Sequence, residues 1–280
     1  MTSVAEHKVH GGTQNPAPQD WSPFEWEEPR LGKQVHGEVA IFRANGTSGS
    51  LQAGFWRTGP TSPGANPDGS HSLVYSSPLG DELAAVIEGS ATVTVNATGE
   101  RFELVPGSIL SHPKGLEVTW EIRSPYFKKY WVIWNGSQAT PNPPQNLTVH
   151  TVNDNPEEWV DYHFTEPAEG PQVAGELFFI SEGGSSGTFL SGIWRSGKGI
   201  AGTDVTPDGT LTTPYTGTLG DETILLLAGE VEVRETETGR VTNYGAGDVI
   251  GLNSGQHITW ISKGPFTKKL WVITKDQLPE

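Results

Sequence analysis

Short stretches of alternating apolar and polar residues recur along the chain. ATVTV (91–95) sets Ala and two Val against two Thr, and EVEVRETETG (230–239) opens with Val alternating against charged residues. A period of two is the mark of a half-buried strand. ELAAVIEG (82–89), ETILLLAG (222–229), AGDVIGL (246–252) and TKKLWVIT (267–274) are short, strongly apolar runs, as strands buried on both faces are. Gly, Asn, Asp or Pro interrupts the pattern roughly every 8–12 residues, the spacing of a sandwich or barrel. No long segment keeps a 3.6-residue period. The pattern predicts an all-β protein of many short strands, with little helix.

The pattern is written twice. Gly37-Glu38 recurs as Gly175-Glu176 and GFWRTG (54–59) as GIWRSG (192–197), both offset by 138. LGDE (79–82) recurs at 219–222, Trp120 at Trp260, and KKYWVIW (128–134) as KKLWVIT (268–274), offset by 140. The change of offset places a two-residue insertion between Gly197 and Pro207. Reading back at 138, Trp21 pairs with Trp159 and Glu28-Pro29 with Glu166-Pro167. Two long copies mean a duplicated domain rather than a solenoid. A cut near residue 150, in the Pro/Asn-rich stretch 139–156, gives expected domains of 1–150 and 151–280, each of ordinary single-domain size.

Composition narrows the function. The formal charge is −15, and an acidic surface repels phosphate backbones, so no nucleic-acid partner is expected. With no cysteine there is no thiolate nucleophile, Cys-ligated zinc site, iron–sulfur cluster or disulfide. No apolar run approaches membrane-spanning length, and MTSVAEHKVHGG at the start lacks the apolar core of a signal peptide. A cytoplasmic protein without a membrane partner is expected. The 35 Gly and 21 Pro are turn formers, while 10 Trp, 10 Phe and 6 Tyr argue for a real core rather than disorder.

Each copy resembles a cupin, through a Glu and a Gly with six residues between them (Glu82 to Gly89, Glu222 to Gly229) and a Gly followed, after five residues, by Pro-x-Gly. Gly107 to Pro113-Lys114-Gly115 fits the second pattern fully; Gly247 to Asn253-Ser254-Gly255 lacks the Pro. With GFWRTG, GDE, TW and KKYWVI, the chain looks similar to cupins of the ethanolamine-utilisation and ureidoglycine-aminohydrolase types. The resemblance implies two tandem double-stranded β-helix (jelly-roll) barrels. It also implies a monomer whose barrels mimic a cupin dimer, or a homodimer. Metal-binding cupins carry His-x-His just before the first-motif Glu and a further His after the second motif. Here those places hold Tyr75-Ser76-Ser77, Tyr215-Thr216-Gly217, Val118 and Ile258. No cofactor is therefore expected at the usual positions, although a metal on other ligands stays open.

Strand parity assigns an interior. If Val118 points inward, so does Trp120, and Ile258 shares a face with Trp260. The first barrel would then enclose Tyr75, Ser77, Glu82, Val118 and Trp120, and the second Tyr215, Glu222 and Trp260. A carboxylate and a phenol in an aromatic cavity suit proton transfer on a small organic metabolite; the competing reading makes Glu82 and Glu222 satisfiers of backbone donors among plain core tryptophans. His257 sits one place before the second-motif ligand position, so parity points it outward unless a bulge intervenes. His7, His10 and His36 are expected in an exposed arm, and His112 at a strand end. Arg57 and Arg195 are expected to pair with Asp81 and Asp221, or with a carboxylate ligand.

Three functions compete. The leading expectation is a metal-independent lyase, isomerase or hydrolase with Glu82 and Tyr75 as the catalytic pair. Trp120, Ser77, Val118, Tyr215, Glu222, Trp260 and His257 are its candidate substrate-binding residues. Of the two barrels the first, whose Pro-x-Gly is intact, is the expected site. The second is a non-catalytic ligand-binding or sensing bicupin. The third, implied by the resemblance, is a metal-dependent aminohydrolase using Glu222, His257, Tyr215 or Asp221. Metal stoichiometry separates the third from the others, and ligand turnover separates the first from the second.

Overall fold

A computed structural model describes residues 9–276 apart from 124, 141 and 143; His7 lies outside the described residues. Among them there is no α-helix, only strands and one 3-10 turn, Pro18–Asp20. Packing divides the chain into two compact units. One comprises 15–154 with 183–189; the other comprises 1–14, 155–182 and 190–280.

In the first unit a seven-stranded antiparallel sheet runs Thr148–Thr151, Ser108–His112, Asp81–Glu88, Phe127–Asn135, Ser50–Thr58, Gly32–Arg43, Ser22–Glu28. A four-stranded sheet runs His71–Tyr75, Val118–Ile122, Ala91–Val95, Arg101–Leu104. One apolar cluster takes Val93, Trp120 and Ile122 from the small sheet and Trp56, Ala84 and Trp131 from the large one. The core therefore lies between the sheets, as in a jelly roll. The second unit repeats this arrangement with a small sheet of Leu211–Tyr215, Ile258–Ser262, Glu230–Glu235 and Val241–Gly245. Its cluster pairs Val233 and Trp260 with Trp194 and Trp271.

The conserved dipeptides of the repeat have local causes. Gly37 and Gly175 sit in the left-handed region (φ 67° and 75°), where a Cβ would lie 2.5 Å from the Trp56 ring and 2.8 Å from the Trp194 ring. Only glycine allows both the turn and the approach. Those indoles are fixed in turn: Trp56 Nε1 donates to His36 O at 2.9 Å and Trp194 Nε1 to Ala174 O at 2.6 Å. Asp81 is buried and accepts from the backbone N–H of Lys114 (2.9 Å) and from both N–H (2.7 Å) and Oγ (2.9 Å) of Ser185, which ties 183–189 to the first unit.

Two short strands sit where the linear order does not put them. His10–Thr13 pairs antiparallel with Asp248–Leu252, and so joins the second unit's large sheet rather than forming an arm of the first. Its repeat counterpart Thr148–Thr151 pairs with Ser108–His112 in the first unit. Each supplies backbone partners to an otherwise bare sheet edge.

Candidate functional site

The strand Phe127–Asn135 explains the centre of the first barrel. Phe127, Trp131 and Ile133 face its core, and the same parity turns Lys129 inward. Glu82, on the neighbouring strand Asp81–Glu88, accepts a hydrogen bond from Lys129 Nζ. The ammonium lies 4.7 Å from the Trp120 ring centroid and 5.9 Å from that of Tyr75. Both side chains are almost wholly buried. Trp26 and Phe24 cover the pair, leaving a cavity of about 30 Å³, room for roughly one water molecule.

The second barrel repeats the pair. Lys269 Nζ donates to Glu222 Oε1 at 2.7 Å, with Trp260 and Trp194 ring centroids 4.5 and 5.0 Å from the ammonium. Here the pair also borders a cavity of about 360 Å³, walled by Leu177, Phe179, Leu190, Trp194, Trp271 and Ile273. Asp161, Tyr162 and His163 lie at its polar side. Deeper in, Tyr215, Thr213 and Trp260 close a small pocket of about 20 Å³ that shares Glu222 and Lys269. The larger cavity lies in the second barrel and not in the first, which the intact Pro-x-Gly favours.

Tyr75 and Tyr215 are buried, and desolvation, with the Glu82 or Glu222 carboxylate second, pushes each phenol well above its ordinary range. Both remain neutral hydroxyls. His112, buried opposite Glu82 in the sheet register, binds Leu116 O through Nε2 at 2.6 Å, and burial lowers its pKa. It packs edge-on to Tyr75, with ring centroids 5.6 Å apart.

The sequence candidates divide cleanly. Tyr75, Glu82 and Trp120 meet in the first barrel, and Tyr215, Glu222 and Trp260 in the second. Val118 is core and does not line the cavity. Ser77 is a turn residue in the left-handed region (φ 48°) whose Oγ donates to Gly80 O at 2.6 Å; Gly217 makes the equivalent turn in the second copy. His257 is exposed immediately before the strand Ile258–Ser262 and lines neither of the cavities beside Glu222. Arg57 and Arg195 do form internal ion pairs, but with Glu38 and Glu176, while stacking over Trp21 and Trp159. Asp81 and Asp221 instead accept backbone N–H bonds. His36 is not a free arm residue: its Nδ1 lies 2.8 Å from His71 Nε2, and His71 Nδ1 is 2.8 Å from Thr58 Oγ1.

Lys129 and Lys269 were missed. The signal was present in KKYWVI and KKLWVI, since the parity that buries Trp131 and Trp271 buries the second lysine of each run. Each barrel carboxylate therefore has a built-in cation beside it.

The EutQ-like cupin domain matches residues 72–131. Solved structures match nearly the whole chain. A protein of unknown function of the DUF861 family from Pseudomonas syringae pv. tomato aligns with TM-score 0.63 at 15% identity, covering 95% of this chain and 99% of its own. Both units have the cupin fold. The protein Ylba of E. coli, also of the DUF861 family, aligns with TM-score 0.58 at 12% identity, covering 99% of this chain and 95% of its own. The oxalate decarboxylase of Bacillus subtilis, a cupin with Mn(II) centres, aligns with TM-score 0.50 at 15% identity over 96% of this chain and 78% of its own. No curated protein matches the sequence. At these identities the likeness speaks for the fold alone.

A metal does not fit the residues that this chain places around its two glutamates. An ammonium already holds each carboxylate by a hydrogen bond, and its charge opposes a second cation there. Among the described residues no three His, Asp or Glu side chains converge in a way that could hold a metal ion. Nor is any helix of the described residues long and apolar enough to cross a membrane.

Proposed function

We propose that the second barrel binds a small, largely apolar organic metabolite and carries out metal-independent proton transfer on it. Glu222 acts as the base and Lys269 as the acid. One observation carries this reading: the Lys269–Glu222 pair borders a cavity of about 360 Å³ with mainly aliphatic and aromatic walls, within the size range of small-molecule sites. A proton shared across 2.7 Å can move either way without a solvent reservoir. Tyr215, held neutral by its surroundings, is suited to donating a hydrogen bond and not to acting as a base. In the first barrel Glu82, Tyr75 and Trp120 enclose too little volume for a metabolite and serve as a buried polar core. The acidic surface and the cupin fold agree with a soluble enzyme of the cytoplasm, acting as a monomer or homodimer.

The test is a panel of small neutral carbonyl and hydroxy compounds, followed by saturation-transfer NMR for binding and by product formation for turnover. Leu190→Trp, which fills the cavity wall, is expected to abolish binding while the fold persists by circular dichroism. Glu222→Gln is expected to retain binding and lose turnover by a factor of about 10²–10⁴. Binding indifferent to Leu190→Trp would place the ligand elsewhere. Binding in the cavity without conversion of any ligand would leave a sensing or storage role.

A further inference from the structure

We infer that Lys269 is a Schiff-base-forming nucleophile and that the ligand of the second barrel is a small carbonyl compound. The inference rests on the cavity reading above and specifies its substrate class. An apolar wall of Leu177, Leu190, Trp194, Trp271 and Ile273 selects an apolar body. At its base the paired charges of Lys269 and Glu222 compensate one another. A carboxylate ligand would set a second negative charge against Glu222, and an amine a second positive charge against Lys269. A neutral carbonyl does neither, and its oxygen can accept one of the ammonium protons that Glu222 leaves free.

The chemistry balances with the groups present. Lys269 passes a proton to Glu222 along their 2.7 Å hydrogen bond, which leaves a neutral amine and a neutral carboxylic acid. The nitrogen lone pair attacks the carbonyl carbon, the C=O π pair moves to oxygen, and a proton shifts from nitrogen to that oxygen to give a carbinolamine. Glu222 then returns its proton to the hydroxyl, the C–O bond breaks, and one water leaves. The products are an iminium on Lys269 and the original Glu222 carboxylate, with total charge unchanged. A lysine amine set in an apolar pocket beside a carboxylate that can take its proton is a recognised arrangement for a nucleophile. The Trp194 and Trp260 faces, 5.0 and 4.5 Å from Nζ, stabilise the cation before attack and the iminium after it.

The first barrel is a control within the same molecule. Lys129 has the same partner type and the same aromatic neighbours, but only about 30 Å³ beside it. The whole protein is incubated with benzaldehyde and sodium cyanoborohydride, and the benzylated lysines are mapped by peptide mass spectrometry. Lys269 is expected to be labelled at least about tenfold faster than Lys129 and ahead of the exposed lysines. Glu222→Gln is expected to slow that labelling by about tenfold or more. Labelling spread over surface lysines, or Lys269 no faster than Lys129, overturns the Schiff base. Benzyl alcohol, which fits the same space but cannot condense, separates the two levels of the argument. If it binds wild type and not Leu190→Trp while Lys269 stays unlabelled, the cavity reading survives and the nucleophile is refuted. If it binds neither protein, and Lys269 stays unlabelled, both are refuted.

Discussion

Removing the lysine from each barrel should cost different amounts, although the two pairs are chemically alike. At 2.7 Å, the Lys269–Glu222 separation, two unit charges attract by about 6 kcal/mol at an effective dielectric of about 20. Most of that gain offsets the desolvation of both groups, so the net loss on deleting one partner depends on how the orphaned carboxylate is resolvated. Methionine keeps the volume of the lysine stem and limits packing changes. In Lys129→Met, Glu82 is left with about 30 Å³, and the expected loss is about 3–5 kcal/mol, the usual cost of an uncompensated buried charge. In Lys269→Met, Glu222 faces about 360 Å³ that water can enter, and the expected loss falls to about 1–3 kcal/mol. Native-state hydrogen exchange read by mass spectrometry assigns the loss to one barrel through peptides covering Phe127–Asn135 or Phe266–Lys275. In the closed barrel, the double variant Glu82→Leu/Lys129→Met should recover most of the stability. Equal losses in the two barrels, or a larger one in the second, would refute the link between cavity and resolvation.

Acid should weaken the first barrel through His71, whose pKa is held down to about 4 by burial, with His36 adding to the effect. Because the folded value lies below the ordinary 6.5, the unfolded chain binds the proton first. Stability is therefore complete above about 6.5, falls as pH drops toward 4, and levels off below. His71→Leu, which installs the residue of the second copy (Leu211), should flatten that slope in denaturant midpoints taken across the range; an unchanged slope refutes the assignment. Asp81→Asn should cost about 1–3 kcal/mol by weakening its bonds to Lys114 and Ser185, and should speed amide exchange in 183–189 before the rest of the first unit. Exchange there at the wild-type rate would mean that Asp81 does not hold this segment. Chelator treatment should leave the thermal midpoint and ligand binding unchanged, checked by scanning fluorimetry before and after; a drop restored by a divalent metal would show that a cation does lodge in the barrels.

The repeat, its offsets, and the alternation of each strand were local properties of the sequence, and they determined a duplicated all-β domain; that each copy is a jelly roll was implied by the cupin resemblance. Parity set Trp120 on the face of Val118, because side-chain direction along a strand follows from its period alone; Tyr75 and Glu82 joined it through the motif positions of the cupin resemblance. Parity could have placed Lys129 and Lys269 as well, since both share a face with buried tryptophans. Three things needed tertiary structure. The strands His10–Thr13 and Thr148–Thr151 carry little apolar alternation, so only the sheet edge each completes reveals where it belongs. The salt-bridge partners of Arg57 and Arg195 are set by cross-strand neighbours far apart in the chain. The last was the choice of barrel: motif matching favoured the first, but a cavity is the volume left over after side chains from many strands have packed. Nearly identical motifs can therefore border about 30 Å³ in one copy and about 360 Å³ in the other.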